Sequence, residues 1–292
     1  ALSAMTGIAQ AFGGPAYQSL IPQLVSKEHL PNAIALNSIQ FNLSRIIGPL
    51  IAGAALTAFG MVACFGLNGV SFLFVIAALF ALQVQHTPPA VSRSLIDEMK
   101  GGLNYVQAQP TIIALTVLGF VAAFLGVPLL TLLPVIVKDV FHQEVGLYTR
   151  LMAFSGAGAV LGAMMVAWRG KSRAMGKALL GSIAAFGLVL VAFSVSRQLW
   201  LTQLLLFLGG GLLVSTFSMI TSLVQLIAPN EMRGRVMSIY MVAFRGASPL
   251  GNFVSGNVAN LSSVPTAIAV NGLLLVVAAA VFWVRGRGVR ET

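Results

Sequence analysis

Arg45 and Arg245 are two charges set inside long apolar runs. Asn42 and Ser44 flank the first; Ser248 and Asn252 follow the second. A guanidinium at that depth in a bilayer costs about 2.5–3.5 kcal/mol on insertion scales, so it must face a bundle interior or a wet cavity. Two kinds of chemistry are open to it there. It attracts an anionic solute or counters a carboxylate, or it serves as a structural cation that caps carbonyls and snorkels inward. The acids offer no partner at the same depth. All seven (Glu28, Asp97, Glu98, Asp139, Glu144, Glu231 and Glu291) fall in loops, near the ends of apolar runs or at the terminus. A proton-coupled cycle through these runs would need a titratable group from elsewhere.

Other familiar chemistries are excluded. His29, His86 and His142 lie in separate loops, and Cys64 is the one thiol, so neither a metal site, a disulfide nor a catalytic pair is spelled out. Gly170-Lys171-Ser172 echoes a phosphate-binding loop, but Met165 stands where its first glycine belongs and no strand precedes it. Gly156, Gly158 and Gly162 sit within an apolar run and read as helix-packing glycines rather than a dinucleotide loop. No cofactor is expected.

The elements that must hold these residues follow from composition. The chain of 292 residues is 58% hydrophobic and 8% charged, where a soluble domain carries roughly 25% charged residues. It has no means of solvating a surface all round, so the bilayer is its solvent. About 20 apolar residues cross a hydrocarbon core as a helix. Nine such stretches occur, at roughly 1–25, 33–57, 61–84, 111–137, 147–168, 177–196, 199–227, 234–260 and 266–284. The fold class is therefore an all-α polytopic membrane protein. The long connection at 85–110 places Leu95, Met99, Leu103 and Val106 at helical spacing, which predicts an amphipathic helix at the interface.

The net charge of +10 lies in short loops rather than on one face, which argues for topology and against a nucleic-acid partner. One set of alternate loops, with the C-terminus, carries twelve Lys and Arg, and the opposite set carries only Lys138, Arg150 and Arg197. The connection at 85–110 and the C-terminus are thereby expected in the cytoplasm.

The chain also repeats itself. Asn68-Gly69 and Asn271-Gly272 lie 203 positions apart, and at the same offset Glu28 meets Glu231, Phe41 meets Phe244, Gly48 meets Gly251 and Gly53 meets Gly256. Ten identities fall between Gly7 and Ala77 without a gap, against about six by chance, so the matched types carry more than the count. Parallel halves around a midplane site are the build of a secondary transporter.

The stretches "LVSKEHLPNAIALNSIQFNLSRIIGPLIAG" at 24–53 and "PNEMRGRVMSIYMVAFRGASPLGNFVSG" at 229–256 carry a resemblance. They look like the major facilitator superfamily, and most of all its enterobactin and macrolide exporter branch, the transmembrane secretion effectors. Gly48-Pro49 with Gly53 is similar to the glycine-proline antiporter motif of exporters in this superfamily. Here an earlier glycine is absent and Ala52 replaces another. Gly48 would let backbones approach and Pro49 would free a carbonyl and permit a bend.

The resemblance implies that 1–84 is the second half of an N-terminal bundle, 85–110 a cytoplasmic linker and 111–292 a six-helix C-terminal bundle. The nine spans would be helices four to twelve of twelve, and the chain an N-terminal truncation. It further implies a translocation pathway lined by Gln10, Tyr17, Gln18, Asn37, Arg45, Gln203, Ser215, Thr216, Arg245 and Asn252. Gly48, Pro49, Gly53, Gly251 and Gly256 would form the conformational motif. Glu28, Arg169, Lys171, Arg173, Glu231, Arg233 and Arg235 would form cytoplasmic gate loops. The loop at 168–177 lacks the acidic residue of the family signature it resembles. On this reading the chain is no enzyme. It is a monomeric, proton-coupled exporter of a drug-like or siderophore-like amphipathic molecule in a bacterial inner membrane. An importer of the same fold, and an inactive remnant or membrane anchor, remain the alternatives.

Overall fold

A computed structural model describes residues 17, 20, 24–26, 28–82, 95–143, 145–169, 174–229 and 232–290. The described residues are helical, with no strand among them. They divide into two compact units, residues 1–91 and 92–292.

The first unit is built on α1, Leu30–Ala81, a run of helix broken at Gly60 (φ 77°, ψ 174°). That backbone conformation is open to glycine and strained for any other residue. The two expected spans at 33–57 and 61–84 are therefore the two arms of α1. Pro31 starts the first arm within its first turn, where a missing N–H costs nothing. Phe65, Phe72, Phe74 and Phe80 of the second arm are exposed, as lipid-facing side chains must be. Of the expected span at 1–25, Tyr17, Leu20 and Leu24 are helical and the rest lies outside the described residues, apart from Val25.

The second unit opens with α2 (Leu95–Gln107), the helix predicted from the apolar spacing of the 85–110 connection. Gly102 and Val106 are buried, and a Cβ placed on Gly102 would lie 3.0 Å from the Arg235 side chain. Then follow α3 (Pro110–Gly126), α4 (Pro128–Asp139), α5 (Val145–Arg169), α6 (Met175–Val195), α7 (Leu199–Ile227), α8 (Arg233–Leu261), α9 (Val264–Arg285) and the short α10 (Arg287–Arg290). The expected span at 111–137 is α3 and α4 together, divided at Val127 because Pro128 has no N–H to give the carbonyl of Phe124.

Six helical segments among the described residues are long and apolar enough to cross a membrane: 62–81, 110–139, 146–168, 175–195, 199–227 and 264–285. The expected span at 234–260 is helical but falls short of that measure, because glycine, serine, asparagine and arginine dilute it.

Lipid gives helices no hydrophobic reason to associate, so close packing through small residues holds them together. A Cβ placed on Gly158 would run into the carbonyl of Phe207, one on Gly162 into that of Gly211, and one on Gly210 into that of Ser155. Helices α5 and α7 thus cross backbone to backbone. Gly187 and Gly272 bring α6 and α9 together in the same way, each 2.6 Å from the other's carbonyl oxygen by the same construction. Around these crossings Leu118, Leu133, Leu151, Ile183, Phe186 and Leu206 form a fully buried core.

Candidate functional site

The candidate pathway residues fall into three groups. In the first unit, the Tyr17 hydroxyl donates to Asn37 Oδ1 at 2.8 Å, joining two of them directly. Tyr17 is half exposed, so a hydroxyl on one helix and a carboxamide on the next present a shared polar surface. Arg45 stands on α1, with its side chain outside the described residues, as are Gln10 and Gln18 altogether.

In the second unit, α7 carries Gln203, Ser215 and Thr216. Gln203 and Ser215 are half-buried. Thr216 is buried and its hydroxyl lies 3.1 Å from that of Ser182, which also donates to the carbonyl of Leu212 at 3.2 Å. These bonds tie α6 to α7. Ser215 lines a cavity of about 660 Å³ between the end of α5, the first half of α6 and the middle of α7, with Met165, Trp168, Met175 and Met219.

Helix α8 bears Arg245, exposed, and Asn252, whose side-chain oxygen is buried without a partner among the described residues. Ser238, Arg245, Ser248 and Asn252 follow one another at seven, three and four positions, one face of the helix. Asn252 and Gly256 line an open cavity of about 1080 Å³ together with the ends of α4, α6 and α8 and the start of α9.

The conformational residues divide likewise. Helix α8 lacks a side chain at Gly251, and its backbone closes on the Phe124 carbonyl of α3. That carbonyl is the one Pro128 leaves without its helical donor. A Cβ on Gly48 or Gly256 would meet nothing within 4 Å among the described residues. Pro49 and Gly53 lie on α1 with side chains outside the description.

One pattern escaped the sequence reading although it is written there. Arg45 precedes Pro49 by four residues, and Arg245 precedes Pro249 by four. In a helix the residue four before a proline loses the N–H that would bond its carbonyl. Each membrane arginine therefore sits where its own helix is weakest.

Of the expected gate residues, Glu28 is exposed. Arg233 donates through Nε to the carbonyl of Gln225 at 3.1 Å and so closes the turn between α7 and α8. Arg235 lies against Gly101 and Gly102 of α2, with its Nη1 3.8 Å from the Met232 sulfur. Arg169 ends α5 with its side chain undescribed, and Lys171, Arg173 and Glu231 lie outside the described residues.

Other polar contacts were not foreseen. Asn271 Nδ2 donates to Ser255 Oγ at 2.9 Å between α8 and α9, both groups buried. Ser196 and Thr202 pair through their hydroxyls at 2.9 Å around the turn between α6 and α7.

The family model described as "Transmembrane secretion effector" matches residues 1–288. The multidrug efflux pump Tap of Mycolicibacterium fortuitum is 25% identical over 270 residues, covering 89% of this chain and 65% of that protein. The enterobactin exporter EntS of Citrobacter koseri is 21% identical over 271 residues, covering 93% and 65%. The chain thus spans just under two thirds of the length of these two relatives. Among solved structures, a bacterial homologue of the human lysosomal transporter Spinster, in an inward-facing and unoccupied conformation, superposes with a TM-score of 0.58 at 15% identity. It covers 95% of this chain and 73% of that one.

Proposed function

The chain belongs to the transmembrane secretion effector family of major facilitator transporters, and on that premise we propose that it serves secondary active export of an amphipathic small molecule. The family consists of membrane transporters rather than enzymes. The observation that carries the proposal is a family match along nearly the whole chain, residues 1–288. Export rather than import is supported by the Gly48-Pro49 pair and by two relatives whose names are those of an efflux pump and an exporter.

In the mechanism proposed, the chain works by alternating access, and its candidate substrate contacts are Tyr17 and Asn37 in the first unit and Gln203, Ser215, Arg245 and Asn252 in the second. Arg45 supplies a positive field that favours an anionic or strongly hydrogen-bonding solute. Pro49 and Pro249 loosen the helices that carry the arginines, and Gly251 lets α8 ride closely over α3. Proton entry drives the cycle. The protein is a monomer in a bacterial inner membrane with its C-terminus in the cytoplasm, as the distribution of basic residues supports.

Everted membrane vesicles test this. With an imposed proton gradient, vesicles holding the chain should accumulate a fluorescent amphipathic dye without ATP, and collapse of the gradient should release it. Arg45→Ala should abolish accumulation while leaving helix content unchanged. Accumulation only under the opposite gradient would favour an importer of the same fold, and none with any amphipathic substrate would sink transport by this chain.

A further inference from the structure

The cavity of about 660 Å³ lies wholly within the second unit and starts at the membrane interface. Trp168 is the last residue of one membrane-spanning segment and Met175 the first of the next. Both line the cavity, so it begins at the level of the lipid headgroups. Trp168 is 93% exposed there, where indole rings favour the boundary between headgroup and hydrocarbon. From that level the cavity runs inward along α6 through Ala174, Ala178, Gly181 and Ala185. The step from Ala174 to Ala185 rises about 16 Å at about 1.5 Å per residue. One leaflet of a hydrocarbon core about 30 Å thick spans about the same depth.

The walls suit an acyl chain of that length. Helices α5 and α6 pack on α7 and scarcely on each other, which leaves a slot between them. A Cβ on Gly181 meets nothing within 4 Å, whereas one on Gly158 or Gly187 would run into a neighbouring backbone. Met165 and Met219 line the slot from α5 and α7, and their unbranched thioether chains adapt to an irregular guest. The interior offers little to a polar solute, because the Ser182 hydroxyl is held by the Leu212 carbonyl and the Thr216 hydroxyl.

The mouth is basic. Arg169 ends α5, and the exposed Lys177 lies at the edge of the α6 face that carries Ala174 and Gly181. The sequence places Lys171 and Arg173 between them, and no Asp or Glu occurs from residue 145 to residue 230. The helices that form the slot therefore supply no acid to neutralise these bases. Basic pockets between membrane helices take acidic lipid headgroups.

We propose that the slot binds an anionic phospholipid, with one acyl chain laid along Ala178, Gly181 and Ala185 and the phosphate beside Lys177. The site goes beyond the transport reading, with which it shares only Ser215.

Brominated lipid quenches tryptophan on contact, so Trp168 is the reporter. Trp200→Phe and Trp283→Phe leave it as the one indole of the full chain, purified in an uncharged maltoside detergent. Phosphatidylglycerol and phosphatidylcholine with the same acyl chains, brominated near the headgroup end, are titrated in at low salt. No gradient or turnover is needed, so failure of transport in vesicles and failure of this site are distinguishable. Phosphatidylglycerol should quench at an about fivefold lower mole fraction, the scale of one basic residue at an anionic lipid surface. Lys177→Gln should remove most of that preference and Lys177→Arg should retain it. Gly181→Leu changes no charge and displaces no neighbour, yet it fills the slot and should remove the preference as well. A basic surface without a slot would keep its preference through Gly181→Leu. Equal quenching by the two lipids in the parent, or an undiminished preference in Gly181→Leu at parental helix content, would overturn the proposal.

Discussion

Replacing Gly162 by alanine should loosen the second unit, although the same change at most helical positions strengthens a helix. The gain comes from propensity: alanine is favoured over glycine in a helix interior by about 0.8–1 kcal/mol. The cost comes from the crossing. A Cβ at 162 would overlap the carbonyl of Gly211, a backbone atom that cannot swing away, and would lie 2.8 Å from its carbonyl carbon and Cα. Ordinary carbon contacts lie at about 3.5–4.0 Å, so α5 and α7 must part by about 1 Å. That separation reaches the neighbouring approaches of Gly158 to Phe207 and of Gly210 to Ser155 as well. Overpacking of a tight site costs about 1–3 kcal/mol, and weak Cα–H···O contacts across the crossing add about 0.5–1 kcal/mol each. The net is a loss of about 1–2 kcal/mol, or a fall in Tm of about 2–8 °C for a unit of this size. Gly181→Ala is the internal control, because a Cβ there meets nothing within 4 Å, and it should leave Tm unchanged or raise it. Thermal unfolding of the purified chain in detergent, followed by circular dichroism, reads both. Equal Tm values for the two variants would refute the claim that backbone contact at this crossing limits stability.

Three more outcomes follow from the same geometry. Pro249→Ala restores an N–H to the carbonyl of Arg245 and should raise Tm by a few degrees while slowing dye accumulation in vesicles, because the helix that must bend has been stiffened. Ser182→Ala and Thr216→Ala, taken through a double-mutant cycle of unfolding free energies, should show a coupling of about 0.6 kcal/mol, the average for interhelical hydrogen bonds in a membrane. Gly60→Ala forces an L side chain into a positive-φ extended conformation and should cost about 1–3 kcal/mol, measurable as a lower Tm, whereas Gly66→Ala in the same helix should leave Tm unchanged or raise it.

The helices were legible because a bilayer imposes a coarse rule on composition. Every stretch read as a span that lies among the described residues is helical to within a few residues at its ends, and 199–227 agrees at both. The amphipathic helix at 95–107 was legible for the same reason, from the spacing of four apolar residues. What escaped were contacts made by pairs on different helices. Nothing in the local sequence tells Thr216, which bonds to Ser182 inside the unit, from Ser215, which lines a cavity. The break at Val127 was readable from Pro128 but was hidden by the unbroken apolar pattern around it. The cavity at the ends of four helices draws Asp139 and Arg197 from segments 58 residues apart, and only the fold gathers them.

The repeat deserves a stricter reading than its identities allow, and the helix boundaries provide one. Helix α8 begins at Arg233, which lies 203 positions after the start of α1 at Leu30. Gly60, where α1 breaks, falls 203 positions before Ser263, which caps α9. Ala81, where α1 ends, falls 203 positions before Val284, one residue short of the end of α9. Start, break and end therefore keep one offset, whereas the arginines do not. At that offset Arg45 meets Ser248 and Asn42 meets Arg245, so the two halves share a polar face and place the charge one turn apart along it. The Asn-Gly pairs diverge in a similar way. Asn271 finds Ser255, but the position matching Ser255 is Ala52, so the first copy has no hydroxyl to give Asn68 at that place. The two copies keep the backbone plan, in which helix lengths and breaks are set by the bilayer. They differ in their polar side chains, so each copy carries its own set of contacts on a shared backbone plan.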